Sequence, residues 1–186
     1  FCDNTQHVRS LARAAELEQR NATLTQQLLR DSLTGLANRL LVESRLERAL
    51  SLLERQAGYV AVLFIDLDGF KKVNDRYGHA VGDSVLIALA ARLQSLARGY
   101  DTVGRISGDE FVVVCEAIDS VYDLDRIAHR YLRGCASVAI GDGDMQLSAS
   151  IGVAIGSAGS ASADELLAQA DDAMYGSKSR GGGRVT

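Results

Sequence analysis

A chain of 186 residues, 47% hydrophobic and 24% charged, has an ordinary globular composition and enough apolar material for one full core plus a short extension. Its formal net charge of -4 gives no general attraction for a nucleic acid polymer or an anionic membrane surface, so phosphate binding must come from local groups and favours a small nucleotide. Three widely spaced cysteines exclude a disulfide framework or a zinc knot, and no run approaches the roughly 18 apolar residues of a membrane span; the piece reads as cytoplasmic, although a longer parent could be membrane-anchored.

Residues 8–30 are polar and helix-favouring, and Ala14, Leu17, Asn21, Leu24 and Leu28 follow the 3-4-3-4 spacing of a coiled-coil seam. Asn21 at an a-type position fixes register and favours two strands, and in a parallel dimer Arg13 would face the partner subunit's Glu18. A lone amphipathic linker helix is the simpler alternative. Residues 1–6 read as the tail of an upstream segment such as a sensor domain, so the expected division is an N-terminal signalling helix (1–30) followed by a globular domain (31–186).

Gly35 breaks the heptad, and Asn38, a good N-cap type, opens a helix that should carry Leu41, Ser44, Leu46, Leu50 and Leu53 toward a core. The apolar run from Tyr59 ends abruptly in Asp66-Leu67-Asp68, as expected of a strand covered on both faces with Asp66 at its carboxyl end. Gly69 and Phe70 then turn into a short helix over 71–76, whose first N–H groups, with Lys71, form a cradle for nucleotide phosphates. Residues 77–83 read as a turn into a long helix over 84–97, with Asp83 as its cap and His79 as a packed structural histidine.

Arg98 and Asp101 precede a β-hairpin over 105–114, whose Gly-containing loop of about four residues carries Asp109 and Glu110. A helix over 123–135, a turn over 141–144 and a strand over 145–155 follow, with Gly152 at a close approach. Ser162 and Glu165 form a capping box for a last helix that has Lys178 near its end, where a lysine also simply suits the helix dipole. Residues 185–186 begin a strand. The order is that of an α+β fold with a central, mostly antiparallel sheet and helices on its faces.

Adjacent carboxylates at a hairpin tip repel unless a cation or solvent separates them. If the strand ending at Asp66 neighbours that hairpin, Asp66 and Asp109 converge into an oxygen-rich site. Without His or Cys, such a site suits Mg²⁺ or Mn²⁺ rather than zinc.

These residues carry a family resemblance. Ser107-Gly108-Asp109-Glu110-Phe111, together with the segments 31–39, 64–75, 77–83 and 172–178, resembles the GGDEF domain of diguanylate cyclases in type and order, with Ser in place of the first Gly. The resemblance covers residues 31–186 and implies a fold similar to the palm of nucleotidyl cyclases and polymerases, preceded here by the coiled-coil helix. It implies condensation of two GTP into cyclic di-GMP by a homodimer, because each subunit holds one GTP and thus half a site. It further implies Mg²⁺ (or Mn²⁺) held by Asp66, the Leu67 carbonyl and Asp109, with Glu110 as a second ligand or an aid to deprotonating the 3′-hydroxyl.

On the same resemblance, Gly69, Phe70, Lys71 and Lys178 serve the phosphates, Asn74 and Asp83 read the guanine edge, and Gly108 lets the backbone approach the ribose. Arg98 and Asp101 match an inhibitory site for the cyclic di-GMP product, and Asp31 to Thr34 match the motif that couples the signalling helix to the domain. Ser107 either crowds the nucleotide or donates a hydrogen bond; activity is expected to be kept because Gly108 and both acids remain. Two alternatives stand beside this reading. One is a catalytically silent GTP- or cyclic-di-GMP-binding domain controlling an attached phosphodiesterase, which would be expected to lose Asp66, Asp109 or Lys71. The other is a purely structural dimerisation unit.

Overall fold

The computed structural model describes residue 13, residues 28–140 and residues 143–186. The seam over 14–24 and the tip of the turn at 141–142 lie outside them. Helix α1 (Arg39–Leu53) starts as its cap residue predicts, with Asn38 Oδ1 accepting the Leu41 N–H at 3.1 Å. Its buried stripe is Val42, Leu46, Ala49 and Leu53. Ser44 is exposed, because the inward face is set by Val42 and the small Ala49 rather than by the leucines alone.

Strand β1 (Tyr59–Leu67) is buried without a break from Val60 to Leu67. After it come α2 (Phe70–Tyr77), α3 (His79–Leu96), β2 (Thr102–Ser107), β3 (Glu110–Ile118), α4 (Asp123–Cys135), β4 (Ser137–Ile140), β5 (Gly143–Gln146), β6 (Ala149–Gly156) and α5 (Ala163–Ser179). The sheet runs in the order β2-β3-β1-β6 with every pairing antiparallel.

The period-two alternation of strands divides the core into two layers. Ala61, Leu63, Ile65, Phe111, Val113 and Cys115 pack toward α3 and α4. Val60, Val62, Phe64, Val112 and Val114 pack toward α1 and α5. Where α5 crosses β6, a Cβ on Gly152 would lie 2.0 Å from the Ala170 carbonyl oxygen and 2.2 Å from the Met174 nitrogen, so the close approach expected at this glycine is real.

Three sequence expectations need correction. The hairpin turn has two residues, Gly108 and Asp109, because β2 and β3 stay paired up to Ser107 opposite Glu110. The strand expected over 145–155 is two: β5 pairs with β4 in a separate sheet, and β6 joins β1. The long helix begins at His79 rather than Ser84, so His79 is exposed on its first turn and Asp83 lies within it instead of capping it. Gly82 is why a glycine-rich segment is helical here: a Cβ there would strike Asn74 Oδ1 at 1.9 Å, so the glycine admits the packing of α2 on α3.

Candidate active site

The chemistry gathers at the end of the sheet where β1 finishes and the β2–β3 turn begins. Asp66 and Glu110 are cross-strand partners, so their side chains leave the same face, the one covered by α1 and α5. Asp66 is only 5% exposed. From α5, Lys178 brings its Nζ to 2.6 Å from Asp66 Oδ1. Burial pushes the Asp66 carboxyl up to about 6; Lys178 pulls it down, while the charges of Asp109 and Glu110 push it up further. The two acids expected to meet, Asp66 and Asp109, are therefore within electrostatic reach of one another.

The donor set fits a hard divalent cation. Asp66 Oδ1 is buried with no hydrogen bond of ordinary geometry, its partner being the Lys178 ammonium, so a cation already stands where a metal would bind. The surrounding side chains offer oxygen only. Leu67 ends β1 opposite Ala149. Among the described residues no three His, Cys, Asp or Glu side chains close around one point. An ion held at Asp66 would therefore need ligands from water or a nucleotide as well.

The acidic field continues onto α5. The Asp171 carboxyl is pushed up by burial and then by Glu110 and Asp172. The residue is separated from Glu110 by more than sixty positions, and its helical spacing alone gave no sign of this placement.

Beside the acids, Gly69 (φ +72) bends the chain directly from β1 into α2, so the first N–H groups of that helix stand next to the carboxyl end of the strand. Phe70 is buried and anchors the turn, while Lys71 is exposed and able to reach a ligand. Asn74 lies against Gly82, next to Asp83. Asp83 is exposed on α3.

The hairpin tip is braced by a residue that sequence reasoning passed over. Arg105 donates from Nε and Nη2 to the Gly108 carbonyl at 2.9 and 2.7 Å, and from Nη1 to Asp31 Oδ1 at 3.0 Å. Although burial opposes it, hydrogen bonds from the Thr34 hydroxyl and amide, with Arg105, hold the Asp31 carboxyl below the usual range. The Asp31–Thr34 motif is thus tied to the acidic turn through one guanidinium. Ser107 Oγ donates to Glu110 Oε2 at 2.5 Å across the end of the hairpin.

Arg98 and Asp101 form a closed turn before β2, with the Arg98 N–H donating to Asp101 Oδ2 at 2.8 Å. Asp101 Oδ1 and, on α4, Arg130 Nε are buried without hydrogen-bond partners. Both charges act on the buried Cys115 thiol, which burial pushes up to about 12. Arg130 had no distinguishing signal in the sequence.

The chain is similar to known proteins over most of its length. The family model described as diguanylate cyclase, GGDEF domain, matches residues 28–184. The chain is 42% identical over 87% of its length to the diguanylate cyclase TpbB of Pseudomonas aeruginosa and 39% identical over 96% to the bifunctional diguanylate cyclase/cyclic di-GMP phosphodiesterase MucR of the same organism. It spans 38% and 26% of the lengths of these two relatives. The crystallised GGDEF domain of TpbB superposes with a TM-score of 0.78 at 40% identity, covering 84% of this chain and 92% of that one. The GGDEF domain of DgcB from Caulobacter crescentus, crystallised in complex with c-di-GMP, gives a TM-score of 0.76 at 27% identity, covering 85% of this chain and 94% of that one.

Proposed function

Because the chain belongs to the diguanylate cyclase GGDEF domain family, we propose that it condenses two GTP into cyclic di-GMP with release of two pyrophosphates. The observation that carries this is the cross-strand pair Asp66 and Glu110, with Asp109 in the adjoining turn and the Lys178 ammonium against Asp66. Asp66, the Leu67 carbonyl and Asp109 would hold Mg²⁺ or Mn²⁺, with Glu110 as a further ligand or as acceptor of the 3′-hydroxyl proton. A bound divalent cation supplies neutralisation of the triphosphate and of the charge that develops at the α-phosphate.

The chain's own residues do the rest. The N–H groups of Gly69 to Lys71 and the Lys71 ammonium receive phosphate oxygens. Lys178 leaves Asp66 for the phosphates as nucleotide enters, which frees the carboxylate. Asn74 and Asp83 accept from the guanine edge, a pattern adenine cannot match. Gly108, at φ +45, carries no side chain between the turn and the ribose. Its carbonyl is fixed by Arg105, so the turn holds Asp109 without needing the ligand to order it.

In-line attack by the 3′-hydroxyl of one GTP on the α-phosphate of another requires two such half-sites face to face, hence a homodimer, which the N-terminal helix would favour by raising effective concentration. Product binding at Arg98 and Asp101 would give feedback inhibition; the DgcB GGDEF domain crystallised in complex with c-di-GMP supports a ligand of that kind. No described helix is long and apolar enough to cross a membrane. The resemblance to MucR makes an attached phosphodiesterase domain a natural neighbour, but the retention of Asp66, Asp109 and Lys71 favours activity over a silent regulatory role.

The test is incubation of the dimeric protein with GTP and Mg²⁺ followed by chromatography of the products. Cyclic di-GMP is expected from the wild type and none from Asp109→Ala. Unchanged GTP from a dimeric wild-type preparation overturns the proposal.

A further inference from the structure

The second acid of the Asp66-Leu67-Asp68 run has a different fate from the first. Asp68 Oδ1 accepts from Ser150 Oγ at 2.7 Å. Its Oδ2 accepts from Ser148 Oγ at 2.6 Å and from the Gly183 N–H at 2.8 Å. All three donors are far away in sequence: Ser148 just before β6, Ser150 within it and Gly183 in the loop that follows α5. Asp68 has moved out of the strand's alternation, since β1 ends at Leu67 and Gly69 already has a left-handed φ. With both oxygens serving protein donors, Asp68 is not offered to a cation as Asp66 is.

What Asp68 holds is the segment that ends α5. Gly181, Gly182 and Gly183 have φ of +105, +69 and +65, so the chain reverses sharply after the helix. A Cβ on Gly182 would lie 2.7 to 2.9 Å from the Asp68 carboxylate atoms, which shows how closely the loop is drawn onto it. The far end of the loop is fixed as well: the Arg184 carbonyl accepts from the buried Ser177 hydroxyl at 2.9 Å and from the Ile151 N–H at 2.9 Å. Lys178 is the residue next to Ser177 and lies in the last turn of the same helix.

We infer that Asp68 is a positioning residue for the reaction: by clamping the Gly182–Arg184 loop to the carboxyl end of β1, it sets the Lys178 ammonium against Asp66 and the incoming phosphates. Asp66 and Asp68 sit on one segment, and Lys178 and Gly183 on another. The Asp68–Gly183 bond joins these two segments a few residues from the place where Asp66 and Lys178 meet. Without it the segment after α5 is held to the sheet by the Ser177–Arg184 bond and by the bonds of Arg184 and Thr186 to Ile151 and Val153, none of which reaches the end of β1, and a long lysine side chain gains freedom at the point where its charge has to be placed. The catalytic part of this inference rests on the proposed cyclase activity; the clamp itself does not.

Asp68→Asn keeps the size of the side chain but replaces one acceptor by an amide N–H₂, which cannot receive both its present donors. Three measurements on the full chain decide the matter. Amide hydrogen exchange over residues 177–186 is expected to speed up in Asp68→Asn while the amides of β1 and β3 keep their protection. GTP affinity, read both as Kd and as KM, is expected to weaken by about 10- to 100-fold, the range usual for residues that orient a ligand group. In a double-mutant cycle, Asp68→Asn added to Lys178→Ala is expected to cause little further loss, because the group it positions is already gone.

Unchanged exchange in the terminal loop overturns the clamp. An equal loss with and without Lys178 overturns the positioning role and leaves a merely structural one. If Asp68→Asn does not fold, Ser148→Ala removes one donor to the same oxygen and must shift exchange and GTP Kd in the same direction, or the inference fails. A wild type that binds GTP but forms no product refutes the cyclase proposal while the exchange and Kd arms still decide this one.

Discussion

Replacing Asp66 by asparagine should make the protein more stable and useless. The carboxyl is buried, and burial lifts its pKa from 3.8 to about 6 even with the Lys178 ammonium 2.6 Å away. The folded state therefore binds more protons than the unfolded chain between those two values. The favourable contribution of the protonated acid is complete below pH 3.8 and is lost as pH rises through about 6. Above that window the ionised side chain costs on the order of 3 kcal/mol relative to the unfolded chain.

Asparagine escapes that cost, although it gives up the ion pair. Lys178 keeps 35% side-chain exposure and regains water in exchange. The net expectation for Asp66→Asn in metal-free buffer at pH 7.5 is a gain of about 1–3 kcal/mol, or about 2–8 °C in Tm. Near pH 4 the two proteins should converge. Thermal unfolding of both across that pH range, in EDTA and without nucleotide, measures the difference directly. A wild type more stable at pH 7.5, or an offset that stays the same from pH 4 to pH 7.5, refutes the reasoning. Adding Mg²⁺ and GTP should reverse the order, since only the carboxylate gains from the cation.

Arg105→Ala should lower stability by about 1–3 kcal/mol and cut turnover, because a guanidinium only 12% exposed at its side chain links Gly108 to Asp31. Arg105→Lys should not rescue it, as one ammonium cannot span both partners; full recovery of the initial rate by lysine would count against the brace. Gly152→Ala should cost about 3 kcal/mol or more in chemical denaturation, since the new Cβ meets backbone of α5 that has nowhere to go; a midpoint equal to wild type contradicts this. Ser107→Gly removes one exposed hydrogen bond to Glu110 and should change the rate of product formation by less than about tenfold.

The parts of this molecule that were legible in the sequence are those written in local pattern. The uninterrupted burial of β1, the caps at Asn38 and Ser162, and the span of α4 follow from residue type and spacing within a few turns of chain. Asp66 and Asp109 were recognisable because an acid that ends a buried strand and an acid in a tight turn both stand out against their neighbours. Arg105 reaching Asp31, Asp68 holding Gly183 and Lys178 meeting Asp66 have no such signal: they join segments separated by most of the domain, through polar side chains that repeat with no period. The break between β5 and β6 was hidden for a related reason. Apolar residues continue to alternate across it, while bonds between Ser148 and Asp68 and from the Leu147 N–H to the Ala136 carbonyl redirect the chain.

The odd and even residues of β1 serve different layers, and Asp66 takes an even place. A slip of one residue in the pairing with β3 would swing the carboxylate into the greasy layer beneath α3 and α4 and present Ile65 or Leu67 to the nucleotide instead. Strand alignment here acts as a checksum on chemistry. A molecule that zips up out of step has no weakened version of the site to offer, because its acids then lie on the wrong side of the sheet altogether.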